Sequence, residues 1–107
     1  MKHFMIKYTR IDDSEEAWHR DIAAFISALD NDPALKGKIV YRCMKIRDEP
    51  CYYHVATAID DEAIKTLQQR EFFKRYTERT RLVAGGEVSV SPLEIIAEPT
   101  GDGDEPV

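Results

Sequence analysis

Cysteine is scarce in this chain: only Cys43 and Cys51 occur among 107 residues. Two cysteines cannot frame a disulfide scaffold, and neither has metal-ligating partners at useful spacing. No CxxC or HExxH pattern is present, so no bound metal is expected. Long apolar runs are also missing. No stretch approaches the roughly 18 apolar residues that a membrane span needs, so no membrane association is expected. The opening Met-Lys-His-Phe-Met-Ile-Lys-Tyr lacks the apolar core and small-residue cleavage site of a signal peptide. These absences point to a cytoplasmic protein with both thiols reduced.

Positive charge is in short supply too. Fifteen Lys and Arg stand against 20 Asp and Glu, giving a formal net charge of −5. An acidic chain repels phosphate backbones, so nucleic acid is not an expected partner. The one basic run, Arg70, Lys74, Arg75, Arg79 and Arg81, is interleaved with Glu71 and Glu78. That is the pattern of a solvated, salt-bridged helix face.

What is present suits one globular domain: 43% hydrophobic and 33% charged residues in a length with no room for a second core. A chain this small buries only roughly 60–70% of the surface it exposes when unfolded. Its core is thin, and self-association would add burial.

Phe4, Ile6 and Tyr8 alternate with His3, Met5, Lys7 and Thr9, which predicts a strand over residues 2–10. Asp12-Asp13-Ser14-Glu15-Glu16 supplies a helix start, with Asp13 or Ser14 as the cap. Trp18, Ile22, Phe25, Ile26 and Leu29 then fall on one face of an amphipathic helix, with His19 off that face and exposed. Asn31-Asp32-Pro33 stops it.

A second strand is predicted over Ile39–Ile46 and a third over Cys51–Ile59, joined by a four-residue hairpin loop, Arg47-Asp48-Glu49-Pro50. In that geometry, paired residues have numbers that sum to 97. Tyr41, Cys43 and Lys45 then share a face with Ala56, His54 and Tyr52. Val40, Arg42, Met44 and Ile46 share the other with Thr57, Val55, Tyr53 and Cys51. Both faces are substantially apolar or aromatic, whereas an antiparallel sheet with one face in water would be polar there. One face is therefore expected to pack on helices and the other on a second copy of the chain, making a homodimer.

Asp60-Asp61-Glu62 opens a second helical region through Ile64, Leu67, Phe72, Phe73, Tyr76 and Val83. The step from Leu67 to Phe72 breaks the helical stripe, so a bend is expected near Gln69-Arg70-Glu71. Gly85-Gly86 ends the helix. A fourth strand is predicted over Val88–Ile96, with Pro92 marking a bulge or an edge. The domain covers residues 1–98. Residues 99–107 form an acidic tail expected to be disordered. The order β-α-β-β-α-β is the ferredoxin-like α+β arrangement, an antiparallel sheet with helices on one face.

The strand Val55-Ala56-Thr57-Ala58-Ile59 is followed by Asp61-Glu62-Ala63-Ile64-Lys65. After it come Leu67-Gln68-Gln69-Arg70-Glu71-Phe72-Phe73-Lys74-Arg75-Tyr76 and the last strand. This pattern resembles the antibiotic biosynthesis monooxygenase-like family of the dimeric α/β-barrel superfamily, over most of residues 2–97. The resemblance implies a homodimer and cofactor-independent oxygenation of a small aromatic, quinol or polyketide-like substrate. Related subfamilies include haem-degrading enzymes and isomerases. One departure is clear: many members carry a helix histidine in a pattern like Ala-Leu-x-x-His-x-x-Ser, and here Leu67 falls at its place. Leucine neither shuttles protons nor binds iron, which argues against haem degradation.

In cofactor-free oxygenation the substrate itself, as a phenolate or enolate, gives an electron to oxygen. The protein supplies a dry pocket, aromatic walls and groups that favour deprotonation. His54 is the candidate base, since an ordinary imidazole exchanges protons near neutral pH. Tyr41 and Tyr53, with Tyr76, are candidates to orient a phenol, and Arg42 to hold an anionic oxygen. A binding protein without catalysis is the competing expectation, and a filled space between sheet and helices would favour it.

Overall fold

The computed structural model describes residues 1–100. The acidic tail expected from residue 99 falls, beyond Thr100, outside the described residues. The chain runs β1 (Lys2–Thr9), α1 (Glu15–Asp30), β2 (Ile39–Lys45), β3 (Cys51–Ala58), α2 (Asp61–Gln69), α3 (Glu71–Val83) and β4 (Ser89–Leu93). The four strands form one antiparallel sheet in the order β2-β3-β1-β4. This is the ferredoxin-like α+β arrangement, its second helical region broken into α2 and α3.

Of the two cap candidates at the start of α1, Ser14 holds the position: its Oγ accepts the Ala17 amide at 3.1 Å. Asp13 instead takes a left-handed φ of 69° and accepts the Ser14 amide on its carboxylate. Asp60 caps α2 in the same way, accepting the Ala63 amide at 2.9 Å. The buried face of α1 is Trp18, Ile22, Phe25 and Leu29.

The hairpin pairs as its loop length dictates. Tyr41 lies opposite Ala56, Cys43 opposite His54 and Lys45 opposite Tyr52. The bend in the second helical region falls at Arg70, which is extended (φ −75°, ψ 132°) between α2 and α3. One non-helical residue resets the apolar stripe, so that Leu67 and Tyr76 are both buried. Arg70 is tied to the end of α1 by a 2.8 Å bond from Nε to the Asp32 carboxylate. Lys74 pairs with Glu71, and Arg79 with Asp13 and Asp21. Three of the five basic residues are thus in ion pairs.

β4 is shorter than the expected Val88–Ile96. Its last pair is Leu93 with His3, one residue from the start of β1, so the partner strand has run out. Ile95 and Ile96 lie beyond it, 50% and 85% exposed. The pairs from His3–Leu93 to Lys7–Ser89 keep one register without a bulge. Pro92 therefore sits in an edge strand, where a missing N–H is tolerated.

α3 ends in a glycine cap. Gly85 adopts a φ of 67° and Gly86 one of 93°. The Gly85 amide donates to the Leu82 carbonyl and the Gly86 amide to that of Arg81, which satisfies the free carbonyls of the last turn. A Cβ on Gly85 would come within 2.1 Å of Ile11 Cδ1. Gly85→Ala therefore combines left-handed strain with a clash. It is expected to cost about 1–2 kcal/mol, read as a lowered midpoint in urea with an unchanged slope.

The helices cover the face carrying Tyr8, Tyr52 and His54. On the other face Val40, Met44 and Leu93 are 49%, 47% and 41% exposed, among half-buried Met5, Tyr53 and Val55.

Candidate functional site

Alternation along the strands sends Phe4, Ile6 and Tyr8 of β1, Tyr41 and Cys43 of β2, and Tyr52, His54 and Ala56 of β3 toward the helices. The space they face is filled at one end and open at the other. At the filled end Trp18, wholly buried, stacks on Tyr76 with ring centres 5.8 Å apart. Phe25 stacks on the same tyrosine at 3.9 Å. At the open end the α2–α3 elbow stands off the sheet and leaves a cavity of about 400 Å³.

Its floor is Phe4, Ile6, Tyr41, Ala56 and Ala58, and its roof is Ile64, Leu67, Phe73 and Tyr76. Val88 and Val90 close the side toward β4. The two alanines on β3 leave room that larger side chains would fill. Leu67 gives the wall a hydrocarbon. The polar side chains of the lining are Tyr41, Tyr76, Gln68, Thr77, Thr80 and Arg81.

Behind the cavity runs a buried hydrogen-bond chain. The Trp18 indole N–H donates to the Tyr8 hydroxyl at 2.9 Å. That hydroxyl lies 3.1 Å from Nε2 of His54, and Nδ1 of His54 lies 3.3 Å from the Tyr76 hydroxyl. The Tyr76 oxygen is 4.0 Å from Cys43 Sγ. One proton order satisfies every donor: Trp18 to Tyr8, Tyr8 to Nε2, and Nδ1–H to Tyr76, whose own proton turns to the thiol or to a ligand. The reverse order leaves the Tyr8 proton without an acceptor.

No charged group enters this chain. Burial holds His54 neutral, its pKa lowered to about 4. Burial also pushes the Tyr8, Tyr41 and Tyr76 hydroxyls well above the ordinary phenol range, and Cys43 up to about 11. The inner end of the cavity thus offers hydrogen bonds from neutral groups and disfavours charge.

The structure divides the four residues singled out from the sequence. Tyr41 lines the cavity. His54 lies one layer deeper, wholly buried and bonded at both ring nitrogens, with Tyr76 as its hydrogen-bonded neighbour in the lining and Tyr41 edge-on to its ring at 5.9 Å. Tyr53 and Arg42 are on the opposite face of the sheet. Tyr53 lies there under the Lys7 ammonium at 5.6 Å, and Arg42 is exposed beside Val55. The sheet separates these two from the cavity, so they do not form one cluster with His54 and Tyr41. Sequence reasoning missed Tyr8, whose only signal was its place on the face of Phe4 and Ile6. His19 is exposed as expected, yet its Nε2 reaches the Tyr52 hydroxyl at 2.8 Å. Among the described residues no cluster of His, Cys, Asp and Glu could hold a metal ion, and no helix is long and apolar enough to cross a membrane.

No protein-family model and no curated protein matches the sequence. Solved structures do match the fold. SnoaB, a cofactor-independent oxygenase from Streptomyces nogalater, was crystallised as a mutant that superposes with a TM-score of 0.73 at 13% identity, over 92% of this chain and 96% of that one. A crystal structure of an antibiotic biosynthesis monooxygenase gives 0.73 at 10% identity, over 91% and 100%. The fold is that of the antibiotic biosynthesis monooxygenases. A dimeric ferredoxin-like protein of unknown function from Jannaschia shares this monooxygenase-like fold at a TM-score of 0.62 and 20% identity, over 89% and 100% of the two chains.

Proposed function

We propose that the protein is a cofactor-independent monooxygenase acting on a small aromatic, quinol or polyketide-like substrate. The observation that carries this reading is the apolar cavity of about 400 Å³ with Tyr41 and Tyr76 in its lining. A volume of that size suits a small polycyclic ligand, and the likeness in fold to SnoaB points the same way.

In the reaction, the deprotonated substrate passes one electron to oxygen. The carbon radical and superoxide combine to a hydroperoxide, and loss of water leaves a carbonyl. Substrate CH₂ and O₂ become C=O and H₂O, with all electrons drawn from the substrate. Tyr76 and Tyr41 touch the substrate oxygen. His54 positions the Tyr76 hydroxyl by donating from Nδ1, and with its pKa lowered to about 4 it is a weak base. The catalytic contribution of the protein is then dryness and orientation.

The proposal includes a homodimer joined through the outer sheet face, where Val40, Met44 and Leu93 are exposed around half-buried Tyr53. Arg42 and Tyr53 belong to that seam in this reading. Light scattering is expected to give twice the 12.3 kDa chain mass, and a clean monomer would count against the seam.

A second reading, ligand binding without turnover, is favoured by one observation: the cavity wall carries no carboxylate and no free imidazole. Oxygen uptake with a panel of hydroquinones and anthrones separates the two. Uptake above the rate without protein is expected, and Tyr76→Phe should lower it about tenfold, the worth of one well-placed hydrogen bond. Saturable binding of the same compounds without uptake would leave the binding reading in place.

A further inference from the structure

We propose that Arg81 is a specificity residue that selects ligands carrying an anionic group, an aromatic body in the cavity with a carboxylate at its mouth. The inference rests on the cavity being a ligand site, as proposed above, and names the ligand's chemical class.

It follows from counting the hydrogen-bond donors in the wall. Thr80 and Thr77 both line the cavity, but their hydroxyl protons go to the Tyr76 and Lys74 carbonyls at 2.8 and 3.0 Å. They can accept from a ligand but have no proton left to donate. Tyr41 and Tyr76 stand at the inner end, where nearby groups are neutral and buried. That leaves Gln68 and Arg81 as donors in the roof, and both are exposed toward solvent.

Two cations of the basic run, Arg75 and Arg81, have no ion pair among the described residues, and of these Arg81 is the one that lines the cavity. Arg70, Lys74 and Arg79 are each in an ion pair, whereas Arg81 has none among the described residues, although Glu78 stands one turn before it. The glycine cap at Gly85-Gly86 ends α3 directly behind it and brings Gly86 itself into the lining. An unpaired guanidinium beside an apolar hole in an acidic protein offers a carboxylate a planar, two-point partner that the inner end lacks. The geometry therefore orients the ligand: neutral oxygen inward to the tyrosines, acid outward to Arg81.

The test is a fluorescence titration of the whole protein with anthracene-2-carboxylate and with its neutral isostere, anthracene-2-carboxamide. The carboxylate is expected to bind about five- to tenfold more tightly, as for a partly solvated ion pair, with an advantage that shrinks as salt is raised. Arg81→Gln should abolish that advantage and Arg81→Lys should keep part of it. Equal affinities in the unaltered protein, an advantage that survives in Arg81→Gln, or no saturable binding of either probe would each overturn the proposal. Titration under argon involves no turnover. Equal affinities alongside oxygen uptake would refute the anion selectivity and leave the monooxygenase reading standing, and the converse result would do the opposite.

Discussion

Trp18→Ala is expected to remove about 3–5 kcal/mol of folding stability, within the range for truncating a buried tryptophan. Small domains of this kind hold about 5–15 kcal/mol in all, so the variant should be largely unfolded under mild denaturing conditions. The size of the effect comes from what the indole touches. Trp18 is wholly buried, stacks on Tyr76 and meets the edge of Tyr8 at 6.2 Å. Its N–H is also the first donor of the chain through Tyr8 and His54. Truncation thus opens a void and leaves the Tyr8 hydroxyl short of a donor. Trp18→Phe separates the two effects: it refills most of the void and loses only the N–H, for about 1–2 kcal/mol. Since Trp18 is the only tryptophan, urea unfolding of both variants is followed by far-ultraviolet circular dichroism. A loss below about 1 kcal/mol in the alanine variant would remove Trp18 as the centre of the core.

That centre was legible in the sequence, because Trp18, Ile22, Phe25 and Leu29 sit on one helical stripe. So was the β2–β3 register, since a four-residue loop leaves one pairing, and Cys43 does lie opposite His54. The elbow at Arg70 was visible as a phase slip between Leu67 and Phe72. The same register also held a warning about the site. Tyr41 and His54 fall on one face, and Arg42 and Tyr53 on the other, so strand alternation alone separates the four candidates. What the sequence could not carry is set by distant parts of the chain. The length of β4 is limited by where β1 begins, and the cavity depends on how far the α2–α3 elbow stands from Ala56 and Ala58. The bond from Tyr8 to His54 joins residues 46 apart in sequence, and no local pattern announces it.

Acid should weaken the fold in a window set by His54. Its imidazole is neutral in the folded protein down to about pH 4, because burial strips water from the charged form. In the unfolded chain it takes a proton below about pH 6.5. Between those values the unfolded state binds more protons, so stability falls as pH falls and levels off below about 4. The loss from this one group approaches about 3 kcal/mol. Its neighbours do not titrate in that window: Tyr8 on β1, Tyr41 and Cys43 on β2 and Tyr76 on α3 are all shifted upward by burial. The Asp32 carboxyl, lowered by its bond from Arg70, loses its contribution on the acid side of the usual carboxylate range. Urea midpoints at pH 7, 6, 5 and 4 should trace the decline. His54→Gln, starting from a lower stability, should run nearly flat across the same interval. An unaltered protein that is equally stable at pH 7 and pH 4 would show that His54 is hydrated or charged when folded. The same neutrality bears on the chemistry. If His54 only positions Tyr76, oxygen uptake should show no inflection near pH 4, where an imidazole acting as the base would protonate. It should rise with pH as more of the substrate ionises, because the proton then leaves to solvent rather than to the imidazole.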